Sequence, residues 1–101
     1  MTSEPPHQQT TQQSLTLEPN DARYLAMLCG QLDSHLRQIE QRLGVHISAR
    51  GNQFLVEGPT VNVATAAQLL THLYAEVCQG VELGPESLHL QLQHVEPGVL
   101  A

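Results

Sequence analysis

The residues of this chain with chemistry to offer are six histidines, four arginines, two cysteines and a glycine-led turn at Gly30-Gln31-Leu32-Asp33. His7, His35, His46, His72, His89 and His94 include no i, i+4 helical pair with a third donor nearby, whereas a zinc site needs three or four converging ligands. Cys29 and Cys78 form no CxxC pair, so neither a metal site nor a disulfide framework is expected, and both should pack as buried thiols. Ser, Cys, His and Asp occur, but none sits in a nucleophile context. No catalysis and no metal are therefore expected of this chain. What remains is anion recognition. Residues 34 to 50 hold three arginines, Arg37, Arg42 and Arg50, against the single acid Glu40. They follow Gly30 and Gln31, where a glycine ahead of a helix N-terminus can bring free N–H groups up to a phosphate.

The overall balance opposes that chemistry. The chain has no Lys and a formal net charge of -6, which excludes strong non-specific attraction to a polyanion. Glu4, Glu82, Glu86 and Glu96 place much of this charge in the flanks, away from the arginines. With 101 residues, 41% of them hydrophobic, the chain can build one compact domain. Its aromatic residues are Tyr24, Phe54 and Tyr74, so the core must come from Leu, Val, Ile and Ala, which favours helices on a small sheet. The opening Met-Thr-Ser-Glu-Pro-Pro has no secretory pattern, and no apolar run approaches a membrane span, so a cytoplasmic protein with no membrane partner is expected.

The elements that must position these residues follow from local patterning. Residues 1 to 14, rich in Gln, Thr, Ser and Pro, read as a disordered arm. Leu15-Thr16-Leu17 alternates as a short strand before Pro19, and Asn20 or Asp21 can cap a helix from Ala22 to Leu28 that Gly30 ends. Asp33 or Ser34 can cap a second helix, in which Leu36, Ile39 and Leu43 share a face up to Gly44. Val45 to Ala49 and Gln53 to Glu57 form a hairpin about Arg50-Gly51-Asn52. Thr60 can cap a long helix whose stripe, Val63, Ala66, Ala67, Leu70, Leu73, Tyr74 and Val77, reads as core rather than as a docking face. After Gly84-Pro85, Leu88, Leu92 and Val95 make a weak stripe before Pro97-Gly98.

The order β-α-α-β-β-α resembles a type I KH domain, an α+β fold with a three-stranded sheet packed against helices, here with room for an extra C-terminal helix. With the patterning above, the chain divides into an arm at 1–14, the KH-like domain at 15–79 and an extension at 80–101, a weak helix with a frayed end. It places a GXXG loop, which borders the groove for single-stranded nucleic acid, at Gly30-Gln31-Leu32-Asp33. Leu36, Ile39, Gly44, Ile47, Gly58 and Ala66 then follow the KH pattern without a gap. Asp33 replaces the second glycine and adds a Cβ and a negative charge.

Leu15-Thr-Leu-Glu-Pro, Leu28-Cys-Gly, Gln38-Ile-Glu-Gln-Arg-Leu-Gly44, Arg50-Gly-Asn-Gln-Phe54 and Ala66-Ala67 with Leu70 and Tyr74 together resemble the amino-terminal region of bacterial PhoH-like proteins, over roughly residues 14 to 95. The resemblance implies a cytoplasmic protein linked to RNA metabolism, with a P-loop ATPase domain that binds ATP and Mg²⁺. No G-x-x-x-x-G-K-[ST] is present here, so neither cofactor belongs to this chain. Gly30, Gln31, Arg37, Arg42 and Arg50 are its candidate nucleic-acid contacts, and its candidate partners are single-stranded RNA, the ATPase domain and an endoribonuclease.

Blander readings stand beside these. Arg37 and Arg42 flank Glu40 and can pair with it along the helix. His46 is expected as an ordinary exposed strand residue. Leu32 can either anchor a protein partner or fold back over the helix junction. In the rival functional reading the domain recognises protein, and the lost glycine is then no obstacle.

Overall fold

The computed structural model describes residues 10–95. Their order is β1 (Thr10–Thr16), α1 (Ala22–Cys29), a single 3-10 turn (Gln31–Asp33), α2 (Ser34–Leu43), β2 (His46–Arg50), β3 (Gln53–Pro59), α3 (Thr60–Cys78) and α4 (Pro85–Gln93). The three strands form an antiparallel sheet in the order β1-β3-β2, with the helices on one face. This is the α+β, KH-like fold expected from the order of elements.

The hairpin that centres the sheet is local in origin. Gly51 takes a positive φ at the turn, and β2 and β3 then pair in unbroken register from Arg50↔Gln53 to His46↔Glu57. Asn52 ties the turn to the end of β1: its side chain donates to the Leu17 carbonyl at 2.9 Å, and its own carbonyl accepts from the Leu17 N–H at 2.8 Å. Phe54 and Val56 point inward from β3 and are fully buried.

The arm expected over residues 1 to 14 is wrong from Thr10 onward, because Thr10–Ser14 belongs to β1 and pairs with β3. A strand made of Thr, Gln and Ser shows no apolar alternation. It is held by backbone bonds to a partner some 40 residues away, which local patterning does not reveal. Residues 1–9 and 96–101 lie outside the described residues, so the rest of the arm and the frayed end do too.

Helix ends follow the expected chemistry in part. Asp21 caps α1, accepting the Arg23 N–H at 2.9 Å. Thr60 does not cap α3: Pro59 occupies the N-cap and Thr60 is already helical, so β3 runs into α3 with no loop. That direct joint lays the apolar face of α3 on the sheet, and all seven residues of the expected stripe are buried. Tyr74 reaches across to donate its hydroxyl to the Pro19 carbonyl.

The division at residue 79 does not hold either. Leu88 is fully buried and Leu92 nearly so, both in the same core as Leu36, Ile39 and Leu70. Gln38 on α2 donates to the Pro85 carbonyl at 3.0 Å, which docks the start of α4 on α2. The weak stripe on α4 reflects a helix that needs only two deep contacts to be anchored. No helix among the described residues is long and apolar enough to cross a membrane.

Candidate nucleic-acid interface

The glycine-led turn is built around His35. This side chain, 5% exposed, tucks under the end of α1, with Nδ1 3.2 Å from the carbonyls of both Met27 and Leu28. A proton on Nδ1 donates to both, satisfying acceptors that the helix end leaves open. Gly30 passes directly over the ring with φ 80° and ψ 175°. A Cβ built there would meet the ring atoms at 2.7 to 2.9 Å, so only glycine fits. The first glycine of the loop therefore has a structural reason that involves no ligand.

Beyond Gly30, Leu32 (φ 55°, ψ 35°) and Asp33 (φ 59°, ψ 29°) are both left-handed. For Leu this costs roughly 1–2 kcal/mol, and the side chain recovers little of it, being 86% exposed. The alternative in which Leu32 seals the junction is excluded by that exposure. Asp33 sits at the N-cap of α2, but its carboxylate caps no N–H, contrary to the expected cap. The loop thus keeps glycine-like backbone geometry at the position where glycine itself has been lost.

A groove of about 230 Å³ runs from this loop between α2 and the outer edge of β2. Asp33, Leu36, Arg37 and Glu40 line one wall, and His46, Ile47 and Ala49 the other. Leu36 and Ile47 are buried and make an apolar floor. Glu40 bridges the walls, accepting the Ile47 N–H at 2.7 Å with the same oxygen that lies 3.5 Å from His46 Nδ1. Two carboxylates, one guanidinium and one imidazole therefore face the groove.

Of the five candidate contacts, the structure brings Arg37 to the groove and Gly30 and Gln31 to its loop end. Arg42 and Arg50 are not among the lining residues. Five positions along a helix turn a side chain by about 140°, and the flank of α2 that carries Gln38 and Arg42 faces toward α4. Arg50 ends β2 beside Ser14, Thr16, Gln53 and Leu55, in a recess that includes the outer sheet face. The cationic rim expected from three arginines is reduced to one. The intrahelical pairing with Glu40 is also absent: the ion pairs among the described residues are Arg23–Asp21, His46–Glu40 and His72–Glu76. Glu40 is held by the β2 edge instead.

His46 is exposed, as expected of a strand residue, but it stands at the groove rim beside Glu40. The two cysteines are half-buried rather than buried. Burial, with a smaller contribution from the charge of Asp33, pushes the Cys29 thiol up to about 11. The sequence reading missed His35 as the support of the loop and Glu40 as the latch of the β2 edge. The signal for Glu40 was its isolation as the one acid between two arginines; His35 had no local signal.

The groove, its loop and the β1-β3-β2 sheet define a KH-like module. No family model matches the chain. A protein of unknown function from Aeropyrum pernix is similar in structure, with a TM-score of 0.64 and 13% identity over 84% of this chain and 46% of its own. Dim2p from Pyrococcus horikoshii is similar with a TM-score of 0.67 and 15% identity, covering 84% of this chain and 49% of its own. At these identities the likeness is one of fold, and the chain spans about half the length of either protein.

Proposed function

We propose that this chain is a non-catalytic binding module that holds single-stranded RNA in the groove between α2 and β2, as the amino-terminal part of a cytoplasmic PhoH-like protein. In that protein the module positions RNA for a P-loop ATPase domain, to which ATP and Mg²⁺ belong, and an endoribonuclease is a natural partner of the assembly. The observation that carries the reading is the groove: a left-handed loop leads into a helix N-terminus with no side-chain cap, beside Arg37 and an apolar floor where bases can lie. The PhoH-like order of motifs supports the parent protein.

A second reading, protein recognition through the same loop, is favoured by Leu32, an apolar side chain held almost fully exposed on a strained backbone. Asp33 and Glu40 do not hinder a protein partner.

Titrating a labelled single-stranded RNA into the chain at low salt separates the two. RNA binding should weaken as salt rises, should be abolished by Arg37→Glu and should strengthen with Asp33→Gly, which removes the acid and suits the positive φ. No binding at low salt would sink the RNA reading. Binding that ignores Arg37→Glu would move the site out of the groove.

A further inference from the structure

The two edges of the sheet are treated differently. On β2 the Ile47 N–H points outward and is already occupied by Glu40. The strand is short and is flanked by the polar rim residues His46 and Arg50. These are ordinary devices for preventing an open edge from pairing with another chain. The other edge, β1, has none of them. Its seven residues carry no charge and no proline, and its register with β3 is unbroken from Thr10↔Pro59 to Thr16↔Gln53, so there is no bulge.

The phase of the sheet fixes what β1 offers. Because Ile47 turns its N–H outward, His46, Ser48 and Arg50 exchange bonds with β3, and the alternate β3 residues, Phe54, Val56 and Gly58, bond β1. Thr11, Gln13 and Leu15 therefore face β3, and the N–H and C=O groups of Thr10, Gln12, Ser14 and Thr16 face outward. Among the described residues no backbone bond reaches them. Beside this edge, under the sheet, lies a recess of about 410 Å³ between β1 and α3, lined in part by Leu15, Ala64, Ala67 and Thr71.

We propose that this edge pairs with β1 of a second copy of the chain, antiparallel about a two-fold axis through Gln13, giving a continuous six-stranded sheet. Charge selects that occupant. In a chain of net charge -6, the strand itself carries no charged residue, the recess under it has none but the imidazole of His72, and Glu57, one strand further in on β3, is taken up by the Gln12 amide, so no carboxylate stands on the pairing edge. Register supports it as well. Centring the pair on Gln13 matches Thr10 with Thr16 and Gln12 with Ser14 of the copy, so all seven residues pair and every outward group finds a partner of the right phase. The inward side chains of each β1 then enter the other's recess, where small residues on α3 leave room.

The test is the mass of the 101-residue chain by sedimentation equilibrium, with dimer formation expected. Ser14→Pro removes an N–H that bonds nothing in the monomer, so circular dichroism should be unchanged. By symmetry the dimer loses two bonds, a weakening of about thirtyfold. Gln13→Lys, at an exposed position, sets two ammonium groups against each other on the axis and should also give monomer. Gln13→Cys lies at a non-hydrogen-bonded pair, where Cα atoms approach to about 4.5 Å, and should oxidise to a covalent dimer whose linked peptides contain position 13. A chain that stays monomeric at millimolar concentration, or a dimer that survives both Ser14→Pro and Gln13→Lys, would overturn the proposal. A dimer that fails to cross-link through position 13 would overturn the register. None of these outcomes depends on RNA.

Discussion

Replacing Gly30 by Ala tests the way the loop is built. Two costs arise, and they can be separated. The backbone at φ 80° and ψ 175° lies in a region almost confined to glycine, which costs of order 1–3 kcal/mol for another residue. The new Cβ would also stand 2.7 to 2.9 Å from three atoms of the His35 ring. That ring is buried and held against two carbonyls, so it cannot recede freely, and overpacking of this kind adds roughly 1–3 kcal/mol. Gly30→Ala should then destabilise by about 2–6 kcal/mol, which at a urea dependence of about 2 kcal/mol/M moves the unfolding midpoint by roughly 1–3 M. Gly80→Ala is the control, since Gly80 also has a positive φ (95°) but no atom within 4 Å of its virtual Cβ; it carries the strain without the clash. In a His35→Ala background the clash is gone, so Gly30→Ala should cost about 1–3 kcal/mol less there than in the parent. Equal costs for Gly30→Ala and Gly80→Ala, or strict additivity with His35→Ala, would refute the claim that the ring dictates the glycine.

Leu88→Ala should cost about 2–5 kcal/mol, because Leu88 is fully buried in the common core; a change near zero in urea unfolding would return α4 to the status of an appendage. Cys29 should alkylate slowly. With its thiol pushed up to about 11, about one molecule in a thousand is thiolate at pH 8, so iodoacetamide labelling followed by mass spectrometry should find it roughly a hundredfold less reactive than a free cysteine, and an ordinary rate would place it outside the protein's interior.

The elements themselves were readable wherever structure is made by neighbours in the chain. The face of α3 from Val63 to Val77, the hairpin at Gly51-Asn52 and the cap at Asp21 depend on residues within a turn or two, and the structure holds all three. β1 was half lost. Leu15 and Leu17 carry an apolar signal, but Thr10–Ser14 is an edge strand tied by backbone pairing and by the Gln12 amide donating to Glu57, and polar side chains give no period to find. α4 was undervalued for a related reason, since Leu88 and Leu92 become deep core only because α2 lies where it can cover them.

The amino-acid order alone determined the sequence β-α-α-β-β-α, the position of the loop and the identity of its residues, because helix and strand periods and turn chemistry act over a few bonds. Which arginine meets the groove was decided by the tertiary structure. Arg37, Arg42 and Arg50 are close in sequence, yet the rotation of α2 and the pleat of β2 send them to different surfaces. The charge of the groove was decided in the same way: Glu40 left its helical neighbours for the Ile47 N–H because that group sits on an unpaired strand edge and a carboxylate is a strong acceptor for it. Gly30, too, is a glycine for a reason that appears only when His35 is folded beneath it.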